Sequence, residues 1–168
     1  MHMNDILILY YSKNDSTKKM ARAIARGIES SNLASSSIRT VHSDSYKESD
    51  DILVTKEDLK KCSGMIIGSP THFGNMAAPL KAFFDSTTDE WFNNTLESKL
   101  GGVFTSTSSM HGGQETTLIS MMMPLIHHGM IIAGVPYSEK NLSSTMSGGT
   151  PYGPSHVSHN QKVDLTEE

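Results

Sequence analysis

The stretch GMIIGSPTHFGN, residues 64–75, starts as a continuous apolar run and ends in a proline, two glycines, an aromatic ring and one ionisable side chain. An unbroken apolar run marks a strand covered on both faces, as in a parallel sheet. A connection that only reverses the chain needs one or two turn residues, so residues 68–75 carry more than a turn. Outward from this stretch the pattern repeats. ILILYY (residues 6–11) is a second fully apolar run, KLGGVFTSTSS (99–109) a third that turns hydroxyl-rich at its end, and MIIAGVPY (130–137) the last strand. SIRTV (37–41) is a weaker, partly alternating strand, preceded by the short SNLASSS linker.

Helical spacing lies between these runs. Met20, Ala21, Ile24 and Ile28 recur at steps of three and four after Asp15 and Ser16, either of which can cap the first turn. Thr55 stands three residues before Asp58, a capping-box start. Leu80, Phe83 and Phe84 follow Pro79, which falls in a first turn, and QETTLISMMMPLIHHG (114–129) forms a further helix in which Pro124 predicts a kink. Strands alternating with helices specify right-handed βαβ units. The expectation is an α/β doubly wound parallel sheet of five strands, in the order 2-1-3-4-5, forming a single domain over residues 1–168. In such sheets ligands bind beyond the carboxyl ends of the strands, beside strand 1.

The bulk properties exclude several classes. A chain of 168 residues fits one domain,. Its net charge of −4, with acids and bases interspersed, offers no footprint for nucleic acid or an anionic membrane,. No apolar run reaches the ~18 residues of a membrane span, and the start lacks the order of a signal peptide, so a cytoplasmic protein is expected. The lone Cys62 reads as a small buried hydrophobe. His2, in a starting MHM that reads as a cloning remnant, is given no role. The eight histidines form no spacing for a dedicated zinc site, and no Ser-His-Asp or Cys-His order stands out,.

Three polar loops share the ligand-binding rim. The first contains Ser12, Asn14, Asp15, Ser16 and Thr17 and opens a helix, so it suits either a phosphate or an ordinary capped helix start. It lacks the glycines of a dinucleotide fingerprint and of a Walker A loop. The second contains Pro70, Thr71, His72, Phe73, Gly74 and Asn75. Its backbone can read the edge of a flat ligand with Phe73 beside the ring, or Phe73 can plug the core. The third contains Ser106, Thr107, Ser108, Gly112 and Gly113, whose hydroxyls suit a ring or a polyol chain, or serve as polar turn filler.

Five segments in order, LYYS (9–12), SPTHFGNMAAPLKAFFD (69–85), GGVFTSTSSMHGGQETT (101–117), HHGM (127–130) and SGGTPYG (147–153), resemble the tryptophan-repressor-binding-protein (WrbA) family of flavodoxin-like NAD(P)H:quinone oxidoreductases. The resemblance implies bound FMN, NADH or NADPH as donor, a quinone substrate and a homo-oligomer, dimer or tetramer, with sites assembled across subunits. By position it assigns the phosphate to residues 12–17, the isoalloxazine edge to Thr71, His72 and Phe73, and the ring and ribityl border to residues 106–108 and the glycines that follow. It also assigns a flavin contact to His127 and a quinone cover to Trp91, the latter from a neighbouring subunit. Phe73, Trp91 and His127 would position flat substrates, and His127 would donate a hydrogen bond or proton to the forming quinol.

The chain departs from that family at three places. His72 stands where arginine is usual, the first loop reads NDST without the usual glycine, and the sequence ends at DLTEE, where the resemblance implies a last helix packed beside the first. The expectation is a domain with its C-terminal helix missing and a neighbouring subunit covering the exposed face. Two rival readings keep the fold: a flavodoxin-type one-electron carrier, against which the dispersed charge argues, and a non-catalytic interaction protein that has lost FMN.

Overall fold

The computed structural model describes residues 4–43, 50–159 and 163–166. Its sheet is parallel, in the order β2-β1-β3-β4-β5. β1 (Asn4–Tyr10) pairs on one side with β2 (Ala34–Thr40) and on the other with β3 (Gly64–Pro70), which pairs in turn with β4 (Leu100–Thr107). The helices α1 (Ser16–Ser30), α2 (Lys56–Lys61), α3 (Ala78–Asp85), α4 (Thr88–Phe92) and α5 (Gln114–His127) provide the crossovers. Two apolar clusters fill the two faces. One gathers Leu7, Leu9, Ile67, Val103 and Leu118, and the other Ile8, Tyr10, Met20, Ala21 and Phe104. Consecutive residues of β1 alternate between them, as burial on both faces requires.

The last strand differs from the expectation. Only Ile131–Ile132, β5, pairs with the start of β4, at Leu100 and Gly101. The chain then leaves the sheet, passes through the short α6 (Lys140–Ser144), and returns as β6 (Ser155–Val157), which pairs in parallel with Thr105–Thr107 of the same β4. One strand position is thus filled by two pieces. Glycines permit the exit and return. A Cβ on Gly134 would stand 2.5 Å from the Pro151 carbonyl oxygen, and one on Gly153 2.2 Å from that of Val103, contacts no side chain tolerates.

Other elements follow their chemistry. β2 begins earlier than the sequence pattern suggests, because the Ser35 and Ser37 hydroxyls donate to the Asp5 carboxylate at 3.2 and 3.0 Å. The capping box on α2 forms: the Thr55 hydroxyl accepts from the Asp58 N–H, and the Asp58 carboxylate accepts from the Thr55 N–H. Asp15 occupies the N-cap of α1 but makes no capping bond, because its left-handed backbone (φ 63°) turns the carboxylate to solvent. Pro124 lies inside α5, which runs on to His127. Cys62 is buried, and burial pushes its thiol pKa up. His2, residues 44–49 and the last two residues of the DLTEE ending lie outside the described residues. No described helix is long and apolar enough to cross a membrane.

Two stability measurements follow. Gly68 faces Phe104 across the β3–β4 ladder, and a Cβ there would stand 2.1 Å from the ring. Gly68→Ala is expected to cost about 1–3 kcal/mol through overpacking, read as a lower denaturant midpoint at unchanged m-value; an unchanged midpoint would mean that the ring yields freely. Burial pushes the Asp58 carboxyl pKa up, but bonds from Thr55 and the Arg39 guanidinium outweigh burial and hold it below its ordinary 3.8. A lowered folded-state pKa gives stability that is full above 3.8 and lost as pH falls through the folded value. Asp58→Asn should therefore flatten the acid limb of the stability profile, and identical limbs would refute the assignment.

Candidate functional site

The carboxyl ends of β1, β3 and β4 lie on one rim, and side-chain and backbone bonds tie their loops together. Thr17, in the first turn of α1, shares a 2.8 Å hydrogen bond with Ser106 at the end of β4; both side chains are buried. The Thr71 N–H donates to the Ser106 carbonyl at 2.8 Å, joining the second loop to the third. Beneath them the Thr105 hydroxyl donates to the Ser69 carbonyl at 2.8 Å, and the Ser69 hydroxyl accepts from the Ala77 N–H at 2.8 Å. The returning chain closes the rim, where the Ser158 N–H donates to the Thr107 carbonyl at 2.8 Å. These bonds fix the relative placement of four chain segments.

Between them lies a cavity of about 360 Å³. From the first loop it is lined by Ser12, Lys13, Asn14, Ser16 and Thr17, from the second by Pro70, Thr71 and His72, and from the third by Ser106, Thr107 and Ser108, with Ser158 completing it. Among the described residues no carboxylate lines it, and Lys13 and His72 are the lining groups able to carry positive charge. The Ser12 hydroxyl is buried without a hydrogen-bond partner among the described residues. A buried hydroxyl without a partner, in the loop that leads into an uncapped helix, is a donor available to an acceptor in the cavity,. The donor set therefore fits a phosphate-bearing polar ligand, and the residues present suit FMN. Burial pushes the His72 imidazole pKa below its ordinary 6.5, and the nearby Lys13 ammonium pushes it the same way. The Tyr11 ring stands edge-on to it, 6.5 Å between centroids.

The rim gathers Ser12, Asn14, Ser16, Thr17, Pro70, Thr71, His72, Ser106, Thr107 and Ser108, all read from the sequence as cofactor contacts. The other sequence candidates lie off the cavity wall. Asp15 faces solvent. His72 and Asn75 exchange backbone hydrogen bonds at 2.9 and 3.1 Å, closing a tight turn with positive φ at Phe73 (53°) and Gly74 (76°). This is the geometry of a type I′ turn, which suits glycine or asparagine far better than phenylalanine. Phe73 consequently projects into solvent, fully exposed, and does not plug the core. Gly74 and Gly113 meet where the second and third loops touch: a Cβ on Gly113 would stand 2.9 Å from the Gly74 Cα. Gly112 packs under the third loop, where a Cβ would meet the Thr107 hydroxyl at 2.2 Å. The glycines serve contact between loops.

His127 and Trp91 are elsewhere. α5 starts at the rim and runs back along the sheet for 14 residues, about 21 Å of helix, so exposed His127 sits at the opposite rim, before β5. Trp91 lies half-exposed on α4 and packs on Phe92, ring centroids 4.7 Å apart. The buried histidine of the pair is His128, whose Nε2 lies 2.8 Å from the Thr87 hydroxyl. Sequence reading covered Lys13 only as part of the 12–17 loop, without naming it as a contact, and missed Ser158. Lys13 is the one basic residue inside the SKNDST loop, a signal that was present; Ser158 follows β6, a strand too short to show a period.

Residues 5–140 match the family described as NADPH-dependent FMN reductase. A protein of Chromohalobacter salexigens named NAD(P)H dehydrogenase (quinone) is 39% identical over 170 aligned residues, covering 92% of this chain and 84% of that protein. One of the same name from Paracoccus denitrificans is 41% identical over 165 residues, covering 91% and 79%. Among solved structures, a flavodoxin, WrbA-like protein from Agrobacterium tumefaciens superposes with a TM-score of 0.64 at 24% identity, covering 76% of this chain and 75% of that one, which shows a shared flavodoxin-like fold. With the cavity at the carboxyl edge of that fold and the match across most of its length, the chain belongs to the NADPH-dependent FMN reductase family.

Proposed function

We propose that the protein is an FMN-dependent NAD(P)H:quinone oxidoreductase of the WrbA kind. The observation that carries the reading is the cavity, lined by no carboxylate among the described residues, in which the hydroxyls of three loops gather around the unpartnered Ser12 hydroxyl in the loop between β1 and α1. Bound FMN supplies two-electron chemistry, in which NADH or NADPH gives a hydride and a quinone leaves as the quinol after taking two electrons and two protons. Ser12, Asn14, Ser16 and Thr17 hold the phosphate. Thr71, His72, Ser106, Thr107, Ser108 and Ser158 border the rest of the cofactor. No side chain need act as a covalent nucleophile, and donor and quinone use one open face in turn.

Phe73, Trp91 and His127 position the flat substrates, but one chain alone cannot bring them together. Trp91 and His127 reach a cavity only from a second copy, so the active form is a homo-oligomer. Exposed apolar surface supports this. Ile119, Met123 and Ile126 stand exposed at i, i+4 and i+7 along α5, and Phe92 is exposed beside Trp91, a stripe typical of a helix that packs against a partner. A cytoplasmic location accords with the supply of nicotinamide donors.

Adding FMN to the apoprotein should quench flavin fluorescence, NADH or NADPH should bleach the bound flavin anaerobically, and benzoquinone should restore the colour. Initial rates at several fixed quinone concentrations should give parallel double-reciprocal lines. Failure of either nicotinamide to bleach bound FMN would refute the enzyme reading. Met123→Glu, which puts a charge on the α5 stripe, should reduce the sedimenting mass to that of a monomer and lower quinone turnover while FMN still binds, because the cradle belongs to one chain. An unchanged mass and rate would remove α5 from the interface.

A further inference from the structure

α4 is five residues long, too short to hold itself as a helix,. Its one buried residue is Glu90, so no buried apolar side chain of its own seats it in the core. Polar contacts on two sides fix it instead. From α2, the Lys56 ammonium pairs with the Glu90 carboxylate at 3.4 Å and donates to the Ser86 carbonyl at 2.6 Å. From the end of α5, His128 Nε2 meets the hydroxyl of Thr87, the N-cap residue of α4, at 2.8 Å, both side chains being buried. The Thr87 hydroxyl gives its single proton to the Phe84 carbonyl at 2.6 Å, so toward His128 it accepts, and Nε2 carries the hydrogen,. Burial, reinforced by Lys56 and His127 and opposed by Glu90, holds the imidazole pKa below its ordinary 6.5, which keeps the ring neutral at pH 7. Nδ1 is buried without a hydrogen-bond partner among the described residues. Trp91 hangs from the same anchor, because its N–H donates to the Thr87 carbonyl at 3.0 Å.

We propose that His128 is a positioning residue for the quinone: through the Thr87 hydroxyl it sets where Trp91 stands relative to His127. The inference rests on the reading that Trp91 and His127 face the quinone from a second copy of the chain. His127 precedes His128 and is exposed where His128 is buried. One substrate-facing side chain therefore sits on α5 and the other on α4, and the bond from His128 to Thr87 joins the end of the first helix to the start of the second. A backbone link, from the Ser98 N–H to the Gly129 carbonyl at 2.9 Å, holds the turn after α4 to the same corner. Both side chains thus ride on one braced corner and are delivered together when copies assemble. Removing the His128 bond frees the start of α4 and lets Trp91 shift against His127. The cradle is tied at the other rim by bonds among different residues, Thr17 and Thr71 to Ser106, so its hold on the cofactor is unaffected.

Trp91 is the single tryptophan of the chain, so its emission reports its surroundings without a label. The test compares the full chain, loaded with FMN and assayed with benzoquinone, in four variants. Thr87→Val keeps the side-chain shape and loses the hydroxyl, and His128→Phe keeps a ring and loses the donor. Thr87→Ser keeps the hydroxyl, and the amide nitrogen of His128→Gln donates from near the place of Nε2. Thr87→Val and His128→Phe should raise the benzoquinone KM about three- to tenfold, the weight of one hydrogen bond, and increase acrylamide quenching of Trp91. Their kcat, FMN dissociation constant and sedimenting mass should stay as in the wild type, the pattern of lost substrate binding. Thr87→Ser and His128→Gln should restore the KM and the quenching. A fall in FMN affinity or sedimenting mass alongside the KM change would make the bond a structural one and overturn the role. Wild-type KM and quenching in Thr87→Val would overturn it too, and this variant decides the matter even where His128→Phe does not fold. A raised KM in Trp91→Ala beside an unchanged one in Thr87→Val would sink the inference alone. A wild-type KM in Trp91→Ala would overturn the placement of Trp91 at the quinone and this inference with it.

Discussion

Parallel pairing of β1, β3 and β4 is the constraint on which everything at the site depends. Because all three strands run the same way, their carboxyl ends must open on one rim, and the loops that follow must face one another. The Thr17 to Ser106 hydrogen bond then fixes α1 against the end of β4 at 2.8 Å. Without that bond the helix start and the hydroxyl-rich strand end would each be an ordinary polar terminus. With it, their unused donors point into one volume. The chemistry is therefore a consequence of strand direction, and each loop alone has little meaning.

That dependence explains how much was legible in the sequence. The apolar runs in β1, β3 and β4 are long enough to show burial on both faces, and they specify strand direction through the helices between them. The five-strand order and the ten cavity-lining residues follow from that reading. What the sequence concealed is mostly geometry that no period records. β6 has three residues, too few for alternation to register, so the second half of the fifth strand position and its Ser158 were invisible. β2 was read as starting late because serine is a poor strand former, yet here Asp5 accepts from two of its hydroxyls.

The glycines show a related limit. A glycine beside a binding loop signals close approach, but not what approaches. At Gly74 and Gly113 the neighbour is the other loop, and at Gly112 it is the Thr107 side chain. These contacts brace the cradle from outside. Phe73 shows the complementary case. Its left-handed backbone costs of order 1–2 kcal/mol, and no burial of its ring offsets that within one chain. A turn that strains an aromatic residue to hold it in solvent gives that residue a reason to be covered by something else.

The division between cradle and substrate face has a geometrical origin. α5 begins at the rim where the third loop ends, and as a crossover helix it must run back to the opposite rim before β5 can start in parallel. Its last residue is thereby carried about 21 Å from its first, and no rotamer of His127 can recover that distance. Any contact between His127 and a ligand in the cradle belongs to a second copy of the chain. The exposed stripe of Ile119, Met123 and Ile126 lies on the same helix, so one packing event would bury the stripe and deliver the histidine. On the proposed reading, cofactor capture would be complete in a single chain, while substrate positioning would depend on assembly.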